Sequence, residues 1–135
     1  MDIKKCLLAS LPVFVFIFAF EWVFHGVIMK ESYLQTAYLW RSQQDMPLYL
    51  PWMIAGQLLF SFIFTIIFAK GYENKGIAEG IRYGMLMAML FTASLLIGYA
   101  VTPYPADMMA AWIIALLVEL PAAGVLLSFL YKPKT

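Results

Sequence analysis

Four apolar stretches, each long enough to cross a bilayer, decide what this chain can fold into. They cover about 7–29, 48–69, 77–101 and 106–130, and a spanning helix needs roughly 20 apolar residues. Lipid offers no water to backbone N–H and C=O groups, so each stretch must bond itself as a helix. The rest of the composition agrees. Of 135 residues, 64% are hydrophobic and 13% charged, against roughly a half and a quarter in soluble domains, and the mean hydropathy is +0.82. The expected fold is all-α: one integral membrane four-helix bundle over residues 1–135.

Loop lengths and charges then set the topology. Only Thr102–Pro105, read TPYP, separates the last two stretches, so these must be antiparallel neighbours. Pro47 and Pro51 open the second stretch in the manner of first-turn prolines, and Pro12 falls in the early turns of the first. Two antiparallel transmembrane hairpins follow. With the N-terminus in the cytoplasm, Lys4, Lys5, Lys70, Lys75, Arg82, Lys132 and Lys134 lie inside, and only Lys30 and Arg41 lie outside. The positive-inside rule therefore puts both termini in the cytoplasm. MDIKK before an apolar run imitates a signal peptide, but Phe20, Glu21 and Trp22 follow in place of a small-residue cleavage site, which predicts an uncleaved helix. The long outer loop is rich in Tyr33, Tyr38, Trp40, Tyr49 and Trp52, rings suited to headgroup level. A short interfacial helix there is expected to turn Tyr33, Ala37 and Trp40 to the membrane.

Several function classes are excluded. The net charge of +1 comes with no basic stripe, so no nucleic-acid partner is expected. One cysteine, Cys6, and one histidine, His25, build neither an internal disulfide nor an ordinary zinc site. Met85, Met89, Met108 and Met109 carry soft thioethers but read as apolar filler, and haem lacks a second histidine. No nucleophile elbow, phosphate loop or paired catalytic carboxylates occur. No enzyme, cofactor or metal is expected.

The intramembrane polar residues mark a site. Glu21 and His25 lie one turn apart in the first stretch, and a charge in such a run wants a partner or a task. Gln57, Ser61 and Thr65 share a face of the second. Gly80, Gly84, Ala88 and Thr92 form a small-residue ridge on the third, and Ala111, Ala115 and Glu119 form one on the fourth, continued by Ala122. The ridges are expected to pack on each other. Counted from the outer helix ends at about 1.5 Å per residue, Glu21, Gln57 and Thr92 share a level, with His25 just above. Glu119 falls lower, near Ala88 and Ser61. Glu21, His25, Gln57, Thr92 and Glu119 are the candidate proton- or ligand-binding residues of an outer-half polar pocket. Pro121 leaves the Leu117 carbonyl without a donor, and a protonated Glu119 steadying that turn is preferred over a relay or cation site. Glu73, Glu79, Lys75 and Arg82 read as a solvated inner loop.

Glu21–Trp22, the run GIRYGMLMAML from Gly80 to Leu90, Tyr99, TPYP and Trp112 together resemble small four-helix bacterial membrane proteins known only as domains of unknown function. The resemblance implies the fold and an inner-membrane location, and no activity. A lesser likeness is to the small multidrug-resistance transporters, which also have four helices and a glutamate in the first, although Glu21 lies late in its helix. The expected function is that of a non-enzymatic multi-pass membrane protein: an accessory or structural subunit, or a small homo-oligomer, whose partners are the bilayer and itself or another membrane subunit. The alternative is a proton-coupled small-molecule carrier using Glu21 and Glu119. An enzyme acting on lipids or quinones would have to rely on His25 alone as acid or base.

Overall fold

A computed structural model of the protein describes residues 2–132, so Lys134 of the charge count lies outside the described residues. Helix α1 spans Ile3–Val23 and runs on through a π-helical turn, Phe24–Ile28. A short helix α2, Lys30–Gln35, and a 3-10 turn, Ala37–Leu39, follow. Helices α3, α4 and α5 cover Met46–Lys70, Ile77–Val101 and Ala106–Leu130. Four helices are long and apolar enough to cross a membrane, at Ile3–Ile28, Met46–Lys70, Ile77–Val101 and Ala106–Leu130. No strand occurs among the described residues.

The last two helices have the expected bounds, and the first starts four residues early. Asp2 caps α1, its side chain accepting from the Lys5 backbone N–H at 3.3 Å, so that Lys4 and Lys5 extend the first turn rather than precede it. Pro12 is consequently interior to α1, where its missing N–H leaves the Leu8 carbonyl without its usual donor. The helix holds because long apolar helices have no competing hydrogen-bond partner in lipid. Hydroxyls inside the helices bond locally for the same reason: Ser10 to the Leu7 carbonyl, Thr65 to that of Ser61 and Ser128 to that of Val125.

Helix α1 packs on α3 and α5, and α4 packs chiefly on α5. The core is small and drawn from all four long helices: Val13 and Ile17, Phe64 and Phe68, Ala88, and Leu120, Ala123 and Leu127. Most other large apolar side chains face outward, Leu8, Leu59, Leu90 and Ile97 each by more than 60%, as helices bathed in lipid require. At one end the chain termini are tied, with the Lys5 ammonium donating to the Lys132 carbonyl at 2.7 Å. At the other, the segment between α1 and α3 folds over the bundle, and we call this the cap end.

The α4–α5 contact corrects the expected pairing of ridges. Gly80 meets Gly124 and Gly84 meets Leu120 and Pro121, rather than Ala111, Ala115 and Glu119. A Cβ on Gly80 would stand 2.6 Å from the Gly124 carbonyl carbon, and one on Gly84 2.5 Å from that of Leu120. These backbones touch directly, the close approach small residues permit. Ala88 is fully buried and continues the α4 ridge. Helix α5 is turned so that Ala115 and Glu119 face away from the glycines, and the half-buried Ala111 joins the cap-end cluster.

The loop between α3 and α4 is not simply solvated. Glu79 is buried, and its carboxylate accepts from the backbone N–H groups of Glu73 at 2.6 Å and Lys75 at 2.8 Å. Asn74 and Gly76 have φ of 59° and 64°, the left-handed turn that directs these N–H groups at one carboxylate. Glu73 is exposed, and Lys75, with Arg82 further off, holds its carboxyl below the usual carboxylate range. Charge-assisted bonds of this kind contribute about 1.5–3 kcal/mol each. Glu79→Ala, which removes both bonds, is therefore expected to lower stability by about 3 kcal/mol or more and Glu73→Ala hardly at all, as measured by thermal unfolding in detergent. Equal effects of the two substitutions would refute the stapled loop.

Candidate functional site

Helix α1 delivers two titratable groups to one place. The i, i+4 spacing stacks Glu21 under His25, and the imidazole Nε2 lies 3.0 Å from a Glu21 carboxylate oxygen. His25 belongs to the π-helical turn, whose closing bond runs from the Met29 N–H to the Phe24 carbonyl at 2.8 Å. Such turns widen a helix by one residue and re-aim its side chains. The other imidazole nitrogen, Nδ1, meets the Tyr33 hydroxyl.

Tyr33 and Trp40 correct the expected membrane-facing helix. Both are half-buried, and only Ala37 of the three expected residues is exposed. The Tyr33 ring stacks on His25 at 5.8 Å and meets Trp40 edge-on at 5.5 Å. The Trp112 indole of α5 donates to the Tyr33 hydroxyl at 2.9 Å, and Tyr104 packs edge-on against Trp112 at 4.9 Å. Trp40 is held in place by donating its indole N–H to Thr36 at 2.9 Å. The rings turn inward because their polar atoms find partners there. Burial pushes the Tyr33 phenol above its ordinary value; the Trp112 bond opposes this and the nearby Glu21 charge adds to it.

An indole N–H only donates, so the Tyr33 oxygen accepts from Trp112. The same hydroxyl meets His25 Nδ1, and the direction of that bond follows the imidazole tautomer. One chain of polar contacts therefore runs from Trp112 through Tyr33 and His25 to Glu21.

Glu119 of α5 joins the far end of that chain. It is 2% exposed, and its carboxyl lies close to that of Glu21. One of its oxygens, Oε1, is buried and has no donor. Counting depth along upright helices places Glu119 below Glu21, yet the two meet. Met29 and Met108 pack in one cap-end cluster, with Glu21 eight residues from the first and Glu119 eleven from the second. The difference, roughly 4.5 Å of helical rise, is within reach of two glutamate side chains.

Beside this group lies a cavity of about 320 Å³, lined by Glu21, His25, Phe24, Phe91, Tyr104 and Trp112 among others. Tyr104 is anchored by donating to the Leu95 carbonyl at 3.0 Å, and Gly98 leaves room for its hydroxyl, 3.1 Å from where a Cβ would stand.

The five candidate residues are thus divided. Glu21 and His25 line the cavity, and Glu119 lies close to Glu21 without lining it. Gln57 and Thr92 do not join them: neither lines the cavity, and the Gln57 Oε1 and Thr92 Oγ1 atoms are buried without partners. On α4, Phe91, Ser94 and Leu95 face the cavity instead, and one residue of rotation, about 100°, takes Thr92 out of it. Helix α3 contributes nothing to the lining. Tyr33, which its type assigns to headgroup level, and Trp112, to which the sequence gives no site role, are also site residues, and they stand 79 residues apart. No group of three or more His, Cys, Asp or Glu side chains suited to a metal occurs among the described residues.

Comparison with protein-family models, with curated proteins and with solved structures finds no match for this chain.

Proposed function

We propose that the protein is a multi-pass inner-membrane protein of two antiparallel hairpins, both termini cytoplasmic, that binds a small molecule and carries it in exchange for protons without transforming it. The observation supporting this is the Glu21–His25 pair lining a cavity of about 320 Å³, with the buried Glu119 of α5 close to Glu21. Ionisable groups within a membrane bundle mark ion and proton pathways more often than they serve packing. The basic residues favour the orientation, since the cap end carries only Lys30 and Arg41. The cavity then belongs to the outer half of the bundle.

The test is carriage itself. Proteoliposomes holding a pH-sensitive dye are challenged with a panel of small lipophilic and cationic compounds, and substrate-dependent proton movement is followed. Wild-type protein is expected to couple the two fluxes, and the double variant Glu21→Gln, Glu119→Gln to lose at least about tenfold in rate. Coupled flux that survives both substitutions would remove this reading.

A second reading is an accessory subunit or small homo-oligomer. It is favoured by an apolar groove of about 220 Å³ between α3 and α4, lined by Gly56, Phe60, Phe64, Met87 and Phe91 among others. A neighbouring helix would fit there, since nothing stands within 4 Å of a Cβ on Gly56. In this reading Gly56→Trp would block assembly, and the mass of the detergent-solubilised particle would fall to that of one chain.

A further inference from the structure

We propose that the cavity beside Glu21 and His25 and the apolar groove between α3 and α4 together hold one single-chain amphiphile, with its hydroxyl head in the cavity and its alkyl or prenyl chain in the groove. This assignment rests on the cavity being a binding site, as read above, and adds the class of molecule bound.

One face of α4 lines both spaces. Met87 and Phe91 border the groove, and Phe91, Ser94, Leu95 and Gly98 border the cavity. Steps of three and four residues keep these positions side by side on a helix. They form a track of about 16 Å along the helix axis. Phe91, the residue the two spaces share, is half-buried, and its ring meets Phe60 edge-on at 5.3 Å. A change of rotamer at that one ring joins the cavity to the groove. On the α3 side, Gly56 faces open space, and Leu59 and Ile63 are 63% and 43% exposed. The groove therefore opens sideways on lipid, and a molecule dissolved in the bilayer enters without crossing water.

The two ends of the track differ in chemistry. The groove is lined by Gly56, Leu59, Phe60, Phe64 and Met87 among others, with no polar side chain. The cavity end carries Glu21, His25 and Ser94. Tyr104 and Trp112 also border it, but their polar hydrogens are engaged by the Leu95 carbonyl and the Tyr33 hydroxyl. Glu21 and Ser94 therefore decide which head is taken. A hydroxyl both donates and accepts, so it bonds Glu21 whether that carboxyl is ionised or protonated, and whichever nitrogen of His25 holds a proton. A carboxylate or phosphate head would meet Glu21 with no lysine or arginine in the lining. A cationic head would compete with His25, whose Nε2 already stands 3.0 Å from the Glu21 carboxylate. The walls of Phe24, Leu95 and Leu116 make any further full charge costly. The groove, at about 220 Å³ or roughly seven water volumes, takes one chain rather than the two of a phospholipid.

The test is photolabelling of the full chain in phosphatidylcholine nanodiscs. The probe is dodecanol with a diazirine near its chain end, and dodecane, dodecylamine and dodecanoate analogues carry the same group. Labelled residues are mapped by mass spectrometry. Dodecanol is expected to label Phe60, Phe64 or Met87 saturably, to be displaced by unlabelled dodecanol, and to half-saturate at least about tenfold below the other three. Glu21→Leu should remove that advantage and leave labelling by the dodecane probe unchanged. If that variant does not fold, Ser94→Ala combined with Phe91→Trp should do the same. Equal labelling by dodecanol and dodecane, without displacement, would mean that ordinary lipid fills the groove and would overturn the proposal. So would a preference for the amine or the carboxylate, or labelling confined to outward residues such as Leu90 and Ile97. Absence of groove labelling in particles with the mass of two chains would assign the groove to a second copy instead. Saturable dodecanol labelling with no proton-coupled flux in proteoliposomes would leave the site standing and remove the carrier reading. Coupled flux of another compound, with no saturable labelling, would do the reverse.

Discussion

Gly84→Leu is expected to prevent this bundle from assembling, whereas Leu86→Phe two residues away should be tolerated. Gly84 is buried against the backbone of Leu120 and Pro121, and even a Cβ there would overlap them. The contact cannot relax cheaply, because the obstructing atoms are main chain rather than the end of a flexible side chain. Leu86 is 66% exposed on the opposite side of α4 and would only exchange one apolar group for another in lipid. No hydrophobic force holds two apolar helices together in a bilayer, so close backbone packing must. The leucine should cost more than about 3 kcal/mol, and the phenylalanine less than about 0.5 kcal/mol. Unfolding by heat and by denaturing detergent measures both. If the two proteins were equally stable, the assignment of the α4 face to α5 would be wrong.

The second large effect is expected at Glu119, where alanine should destabilise far more than glutamine. Glutamine keeps the volume and still offers an N–H to Glu21, so the cost should be about 1 kcal/mol. Alanine leaves a void where a 2%-exposed side chain stood. Cutting a fully buried side chain of this size back to alanine costs about 2–5 kcal/mol through the cavity left behind. Equal unfolding temperatures for the alanine and glutamine variants would show that the Glu119 side chain is not packed in the bundle interior.

Both expectations depend on side chains whose importance was only partly legible beforehand. Gly80 and Gly84 stand out in the sequence as a small-residue ridge, but Gly124 does not, because it follows Pro121 in a run of ordinary alanines. Only the packed pair shows that Gly80 and Gly124 face each other. Glu79 reads as one more charge in a loop of charges. Its burial is visible only once Asn74 and Gly76 turn the backbone so that two N–H groups converge on it. Tyr33 and Trp40 read as headgroup anchors by their type alone. Their inward turn follows from partners on other elements, the hydrogen bonds to His25 and Trp112 for the first and edge-on contact with Trp112 for the second.

The chain by itself determined the all-helical character, the four long apolar helices and, for α4 and α5, their bounds. These follow from a one-dimensional property: an apolar run of sufficient length must satisfy its own backbone. It also singled out Glu21 and His25, since i, i+4 spacing on one helix needs no tertiary information. What the tertiary structure alone decided was the rotation of each helix about its axis. That rotation separated Thr92 from the cavity, turned Ala115 and Glu119 away from the α4 glycines, and set Glu119 against Glu21. In an apolar helix surrounded by lipid, nearly every face is equally hydrophobic, so periodicity does not fix the angle. A few backbone contacts at glycines and a few hydrogen bonds at buried polar atoms do.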